Sequence, residues 1–91
     1  MVSWSDRRQE PRTPRDGPVT LRAYPPLART IPATLVDESN SGLRIRHQDK
    51  MLETGETVDF ETMLRSGRAR VMWTRFGGPD LFEAGLYILP A

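Results

Sequence analysis

The sequence predicts an all-β domain, a six-stranded antiparallel barrel behind a flexible N-terminal arm, with no long helix. Three observations carry this. From Val19 onward apolar and polar residues alternate in short runs, and clusters of glycine and proline separate those runs. No stretch keeps the helical spacing of apolar residues over three turns. Six runs within roughly 70 residues suggest a small closed barrel, the architecture that leaves no open sheet edge.

Residues 1 to 18 form the expected arm. They hold four arginines, three acids and prolines at 11, 14 and 18, with hardly any apolar residue after Trp4, so little there can be buried. Residues 19 to 91 form the barrel domain. Its expected strands are Val19 to Tyr24, Thr30 to Val36, Gly42 to Arg46, Glu56 to Met63, Arg68 to Thr74 and Leu81 to Leu89. Side chains alternate across a strand, which gives an expected core of Ile31, Ala33 and Leu35, Leu43 and Ile45, Val58 and Phe60, Val71 and Trp73, and Phe82, Ala84, Leu86 and Ile88. Asn40-Ser41-Gly42, Glu53-Thr54-Gly55, Arg65-Ser66-Gly67 and Gly77-Gly78-Pro79-Asp80 carry the turn chemistry between strands. Gln48 to Glu53 is the one stretch that fits a helical turn.

Composition narrows the function. Ninety-one residues hold one modest core, too little for a catalytic domain with a separate cofactor domain. The chain has no cysteine and one histidine, so a thiolate site, a cysteine nucleophile and a metal cluster are not expected, and no cofactor is. No apolar run approaches the ~20 residues of a membrane span, and the start lacks the apolar core of a signal peptide, so a cytoplasmic protein without membrane insertion is expected. A net charge of +1 argues against a general DNA or RNA binder and for a small anionic ligand, if the ligand is anionic. All but one of the thirteen basic residues are arginine, which suits planar recognition of phosphates and bases, but codon preference is the favoured account.

Two local patterns stand apart: Arg8-Gln-Glu-Pro-Arg12 in the arm, and Asp37-Glu-Ser39-Asn-Ser-Gly42 at the end of the second run. In order and spacing they resemble the signature of the PilZ family, an RxxxR pair followed some two dozen residues later by a [D/N]xSxxG turn. Leu52 to Val58, Val71-Met-Trp73 and Ala84 to Leu89 are similar to further segments of that family, so the resemblance runs from about Arg7 to Leu89. It implies a cyclic di-GMP receptor on a six-stranded barrel, not an enzyme, acting through a separate protein effector.

The ligand residues it implies are Arg8, Arg12, Asp37, Ser39 and Gly42, flanked by Asn40 and Ser41. Guanidinium groups can bond the O6 and N7 edge of guanine, stack on the base and pair with phosphate. Asp37 can accept from the guanine N1 and N2 donors, while the Ser39 hydroxyl donates or orients and Gly42 leaves room for close approach. Arg7, just before the pair, stands where the resemblance implies an influence on one-molecule or two-molecule binding, although charge on a solvated arm explains it equally well. Trp73 is a candidate stacking partner at the barrel rim, set against the core role that its parity with Val71 favours. Arg44, Arg46, Arg68 and Arg70 read as solvated outer positions, with Arg44 the best exception, and His47 reads as exposed. Rival readings are an adaptor that keeps the barrel but binds no nucleotide, a small RNA-binding barrel, and an enzyme built on Asp37, Ser39 and His47. The third lacks any oxyanion loop.

Overall fold

The computed structural model describes residues 11–90. Six strands follow one another: β1 (Thr13–Ala23), β2 (Arg29–Glu38), β3 (Gly42–His47), β4 (Thr57–Glu61), β5 (Ser66–Gly78) and β6 (Leu81–Ile88). They close into an antiparallel barrel in the order β1-β2-β3-β6-β5-β4, with β1 pairing back onto β4. All-β architecture and barrel closure agree with the sequence expectation. Among the described residues there is no helix, and none long and apolar enough to cross a membrane; Gln48 to Glu53 runs through turns that bring Leu52 into the core.

Barrel closure rests on the alternation of apolar residues. Ile31, Leu35, Leu43, Ile45, Val58, Phe60, Val71, Ala84 and Leu86 are buried as the pattern requires, and Ala33 and Ile88 pack against them. Val19, Leu21 and Ala23 of β1 and Ala69 of β5 join them by the same parity. Phe82 is only partly buried, and its ring stacks on His47 with centroids 5.6 Å apart.

Three expectations are corrected. β1 starts at Thr13, six residues before Val19, because Thr13 and Pro14 pair with Glu38 and Asp37 beyond a register shift between Pro14 and Gly17. Trp73 is exposed rather than buried. Between Val71 and Trp73 the register against β6 shifts, Val71 facing Leu86 and Trp73 facing Gly85, so Met72 is an extra residue that turns Trp73 to the outer surface. His47 is buried, not exposed: it ends β3 opposite Phe82, where its Nδ1 accepts from the Asp49 amide at 3.1 Å.

Candidate functional site

The outer face of β2, β3, β6 and β5 is ordered in rows, since residues directly opposite one another in adjacent strands share a face. One row runs Asp37, Arg44, Gly85, Trp73 across the four strands. A second bulge makes this row. Leu35 faces Ile45 and Asp37 faces Arg44, leaving Val36 over, so Asp37 takes the outward side of Arg44 instead of the inward side that counting from Leu35 assigns. The neighbouring row holds Gly42, Tyr87 and Arg70, and the row on the other side Thr34, Arg46, Glu83 and Arg75.

Two glycines hollow this surface. At Gly85 an added Cβ would lie 2.2 Å from Trp73 Nε1, so the indole occupies the space a side chain would need. At Gly42 an added Cβ would meet the Leu86 carbonyl oxygen at 3.2 Å and an Arg12 Nη1 at 3.6 Å. The result is an open groove of about 590 Å³, bounded by Arg12, Asp37, Ser41 and Arg44 on one side and Met72, Trp73 and Tyr87 on the other. That volume lies in the usual range of small-molecule sites.

Its charge is set at Asp37. Arg12 Nε and Nη2 reach Asp37 Oδ1 at 2.8 and 2.7 Å, and Arg44 Nη2 reaches Oδ2 at 2.6 Å. Arg12 Nη1 also donates to Ser39 Oγ at 3.3 Å. One carboxylate between two guanidinium groups leaves an excess of positive charge on the groove wall, and Arg44 Nε is buried without a partner. Across the groove, Arg75 lies 5.3 Å from the Trp73 ring centre and donates from Nη2 to Glu83 at 2.6 Å. The Arg75 hydrogen bond, followed by weaker pulls from Arg46 and Arg44, holds the Glu83 carboxyl below its usual range despite some burial.

The candidate residues therefore divide. Arg12, Asp37, Ser41, Gly42 and Trp73 line the groove, and Ser39 touches it through Arg12. Ser39 is buried, its amide donating to the Gly42 carbonyl at 2.9 Å. Asn40 is exposed at the crown of the turn and stands outside the groove, its carbonyl oxygen accepting from Arg65 at 3.3 Å. Arg7 and Arg8 lie outside the described residues.

The family model for the PilZ domain matches residues 6–86, a span that takes in both arginines of the RxxxR pair and the whole Asp37-to-Gly42 turn. The chain belongs to the PilZ family. No curated protein matches it. The PilZ family is a family of cyclic di-GMP receptor domains.

Sequence reasoning passed over Met72, Tyr87, Arg65 and Arg75. For Arg44 the signal was its place two residues after Gly42. Arg75 and Met72 carried none, because their position depends on a bulge that alternation does not reveal.

Proposed function

We propose that this PilZ domain is a receptor for cyclic di-GMP that catalyses nothing, needs no cofactor and passes its signal to a separate protein in the cytoplasm. The observation that carries the reading is the row Asp37, Arg44, Gly85, Trp73. It sets a guanidinium-flanked carboxylate opposite an exposed indole seated against Gly85, across an open groove that Gly42 also lines.

Each part suits a guanine dinucleotide. Trp73, seated against Gly85, offers an exposed indole on which a purine can stack in place of Arg75, worth about 1–3 kcal/mol. Arg12 and Arg44 supply forks for phosphate oxygens or a guanine edge. An ionised carboxylate has about four lone-pair sites, so Asp37 keeps acceptor capacity for the guanine N1 and N2 donors while its arginines remain in place. Ser39 adds a hydroxyl, and the turn around Asn40, Ser41 and Gly42 brings backbone close to the ligand. Arg7 and Arg8 precede Arg12 on the same segment and complete the clamp when the arm closes. Arm closure is favoured by ligand because Arg8, unlike Arg12, gains base or phosphate contacts only when the segment before Arg12 closes, and this differential affinity drives the population shift that the effector reads.

A nucleotide-free adaptor is the second reading, and one observation favours it: Arg12 is already engaged by Asp37 and Ser39. Calorimetric titration with cyclic di-GMP, GMP and a short RNA separates the two. Saturable binding of cyclic di-GMP alone, abolished or strongly weakened in Arg8→Ala, Arg12→Ala, is the expected result. Absence of binding would leave the adaptor reading, and binding of RNA would move the protein among the single-strand readers.

A further inference from the structure

Glu38 follows Asp37 but faces the other way. Its cross-strand neighbour is Leu43, which is buried, so Glu38 falls on the inward side at the barrel mouth, where it too is buried. A carboxylate there requires partners. Arg15 Nε donates to its Oε2 at 2.7 Å and Arg65 Nη2 to its Oε1 at 3.0 Å. Arg65 goes further: Nη2 donates to the Ser39 carbonyl oxygen at 2.6 Å, and Nη1 to that of Asn40 at 3.3 Å. Its own backbone is fixed in a tight turn, in which Thr62 N donates to the Arg65 carbonyl oxygen at 2.8 Å and Thr62 Oγ1 accepts from the Leu64 and Arg65 amides at 3.2 and 3.1 Å.

We infer that Arg65, anchored through Glu38, is a positioning residue that holds the Ser39-to-Gly42 turn in its ligand-binding shape from behind, without touching the ligand. This rests on the receptor reading above. A peptide unit is planar, so holding the carbonyls of two successive residues fixes the planes on either side of Asn40. That in turn fixes where the Ser39 hydroxyl and the backbone at Ser41 and Gly42 stand relative to the groove. Arg65 is absent from the groove wall, and among the described residues its side chain bonds Glu38 and the Ser39 and Asn40 carbonyls rather than any group lining the groove. A turn already held in place loses less conformational freedom when ligand arrives, which raises affinity without a new contact. The task needs arginine: three acceptors in different directions match a planar fork, whereas a lysine ammonium satisfies them less well from one point. Neither Glu38 nor Arg65 is a fixed residue of the [D/N]xSxxG pattern.

The test is titration with cyclic di-GMP of the parent, Arg65→Ala, Arg65→Lys and Glu38→Gln, together with amide exchange of the ligand-free and ligand-saturated proteins. Arg65→Ala is expected to bind about tenfold more weakly, the scale of losing hydrogen bonds from a charged group. Arg65→Lys should recover part of the loss and carries the comparison should Arg65→Ala fail to fold. Glu38→Gln should lose less, since both carbonyl contacts remain. In the arginine variants, amides of residues 39 to 42 should exchange faster without ligand while the β4–β5 ladder stays protected, and saturating ligand should restore the turn. Parent-like binding by Arg65→Ala overturns the inference and leaves the receptor reading intact. Faster exchange throughout the barrel overturns it too, because Arg65 would then be a general stabiliser. A parent protein that binds no cyclic di-GMP overturns the receptor reading and this inference with it.

Discussion

Arginine and carboxylate meet in opposite proportions at two places on this barrel. Before β4, Arg29 is shared by two acids: its Nε lies 2.6 Å from Asp49 Oδ2 and its Nη1 3.3 Å from Glu56, while Nη1 also donates to the Leu27 carbonyl at 2.7 Å. All three side chains are largely buried, at 17%, 15% and 24% exposure. Burial pushes the Asp49 carboxyl up, but the Arg29 guanidinium and the Met51 amide outweigh it and hold it below its usual range. Beside the groove the proportion is reversed, with Asp37 shared by two arginines that are each about 40% exposed, at 44% and 39%. The first arrangement spends a guanidinium on tying the loops before β2 and β4 together. The second leaves cationic forks facing solvent beside an aromatic surface. The same ion-pair chemistry ties buried loops together at the first place and leaves partly exposed guanidinium groups beside the groove at the second.

The sharpest way to break that distinction is Arg29→Ala. It strands two partly buried carboxylates, so chemical denaturation should report a loss of about 3 kcal/mol, while cyclic di-GMP affinity of the remaining folded protein is unchanged. A similar loss of affinity would mean that the two networks are not separate. Arg12→Ala should do the reverse. Affinity should fall by about 2 kcal/mol, more than tenfold, with stability changed by less than about 1 kcal/mol, because Asp37 keeps Arg44 and the lost side chain is exposed.

Gly85→Ala tests the hollow that the Trp73 indole fills. The new methyl displaces the Trp73 indole, which is exposed enough to swing away, so the expected cost is about 1 kcal/mol of stability and a severalfold weaker affinity. Tryptophan emission in a Trp4→Phe background should shift to the red; an unchanged spectrum would show that the backbone, not the indole, had yielded.

The smallest effect is pH dependence at the structural end. Burial lowers the pKa of His47 below 6.5, against a weaker upward pull from Asp49. The unfolded chain therefore takes up the proton first as pH falls, so this contribution is fully present above the unfolded pKa and is lost towards the folded one. Melting curves should give a decrease of no more than about 0.7 kcal/mol between pH 7 and pH 6, and His47→Leu should remove that slope. The depressed Asp49 acts in the same direction at lower pH, with its stability present above its unfolded value near 3.8 and lost below.

Alternation makes the barrel legible in the sequence, because burial on one face of a strand imposes a period of two. It located Leu43, Ile45, Val58 and Val71 in the core, and the order and spacing of Arg8, Arg12, Asp37, Ser39 and Gly42 carried the family resemblance. The same period failed at Trp73. One extra residue, Met72, inverts parity at the cost of a single unpaired position, and nothing in the local composition marks it. Only the tertiary structure decided that Asp37, Arg44, Gly85 and Trp73 form one row, that the hollow at Gly85 is filled by an indole from a neighbouring strand, and that Arg65 braces a turn 26 residues away. Those facts depend on register between strands distant in sequence. Register is set by how the whole closed sheet buries its inner face, so the sequence of any one strand determines its own pattern but not the neighbours that its outward side chains meet.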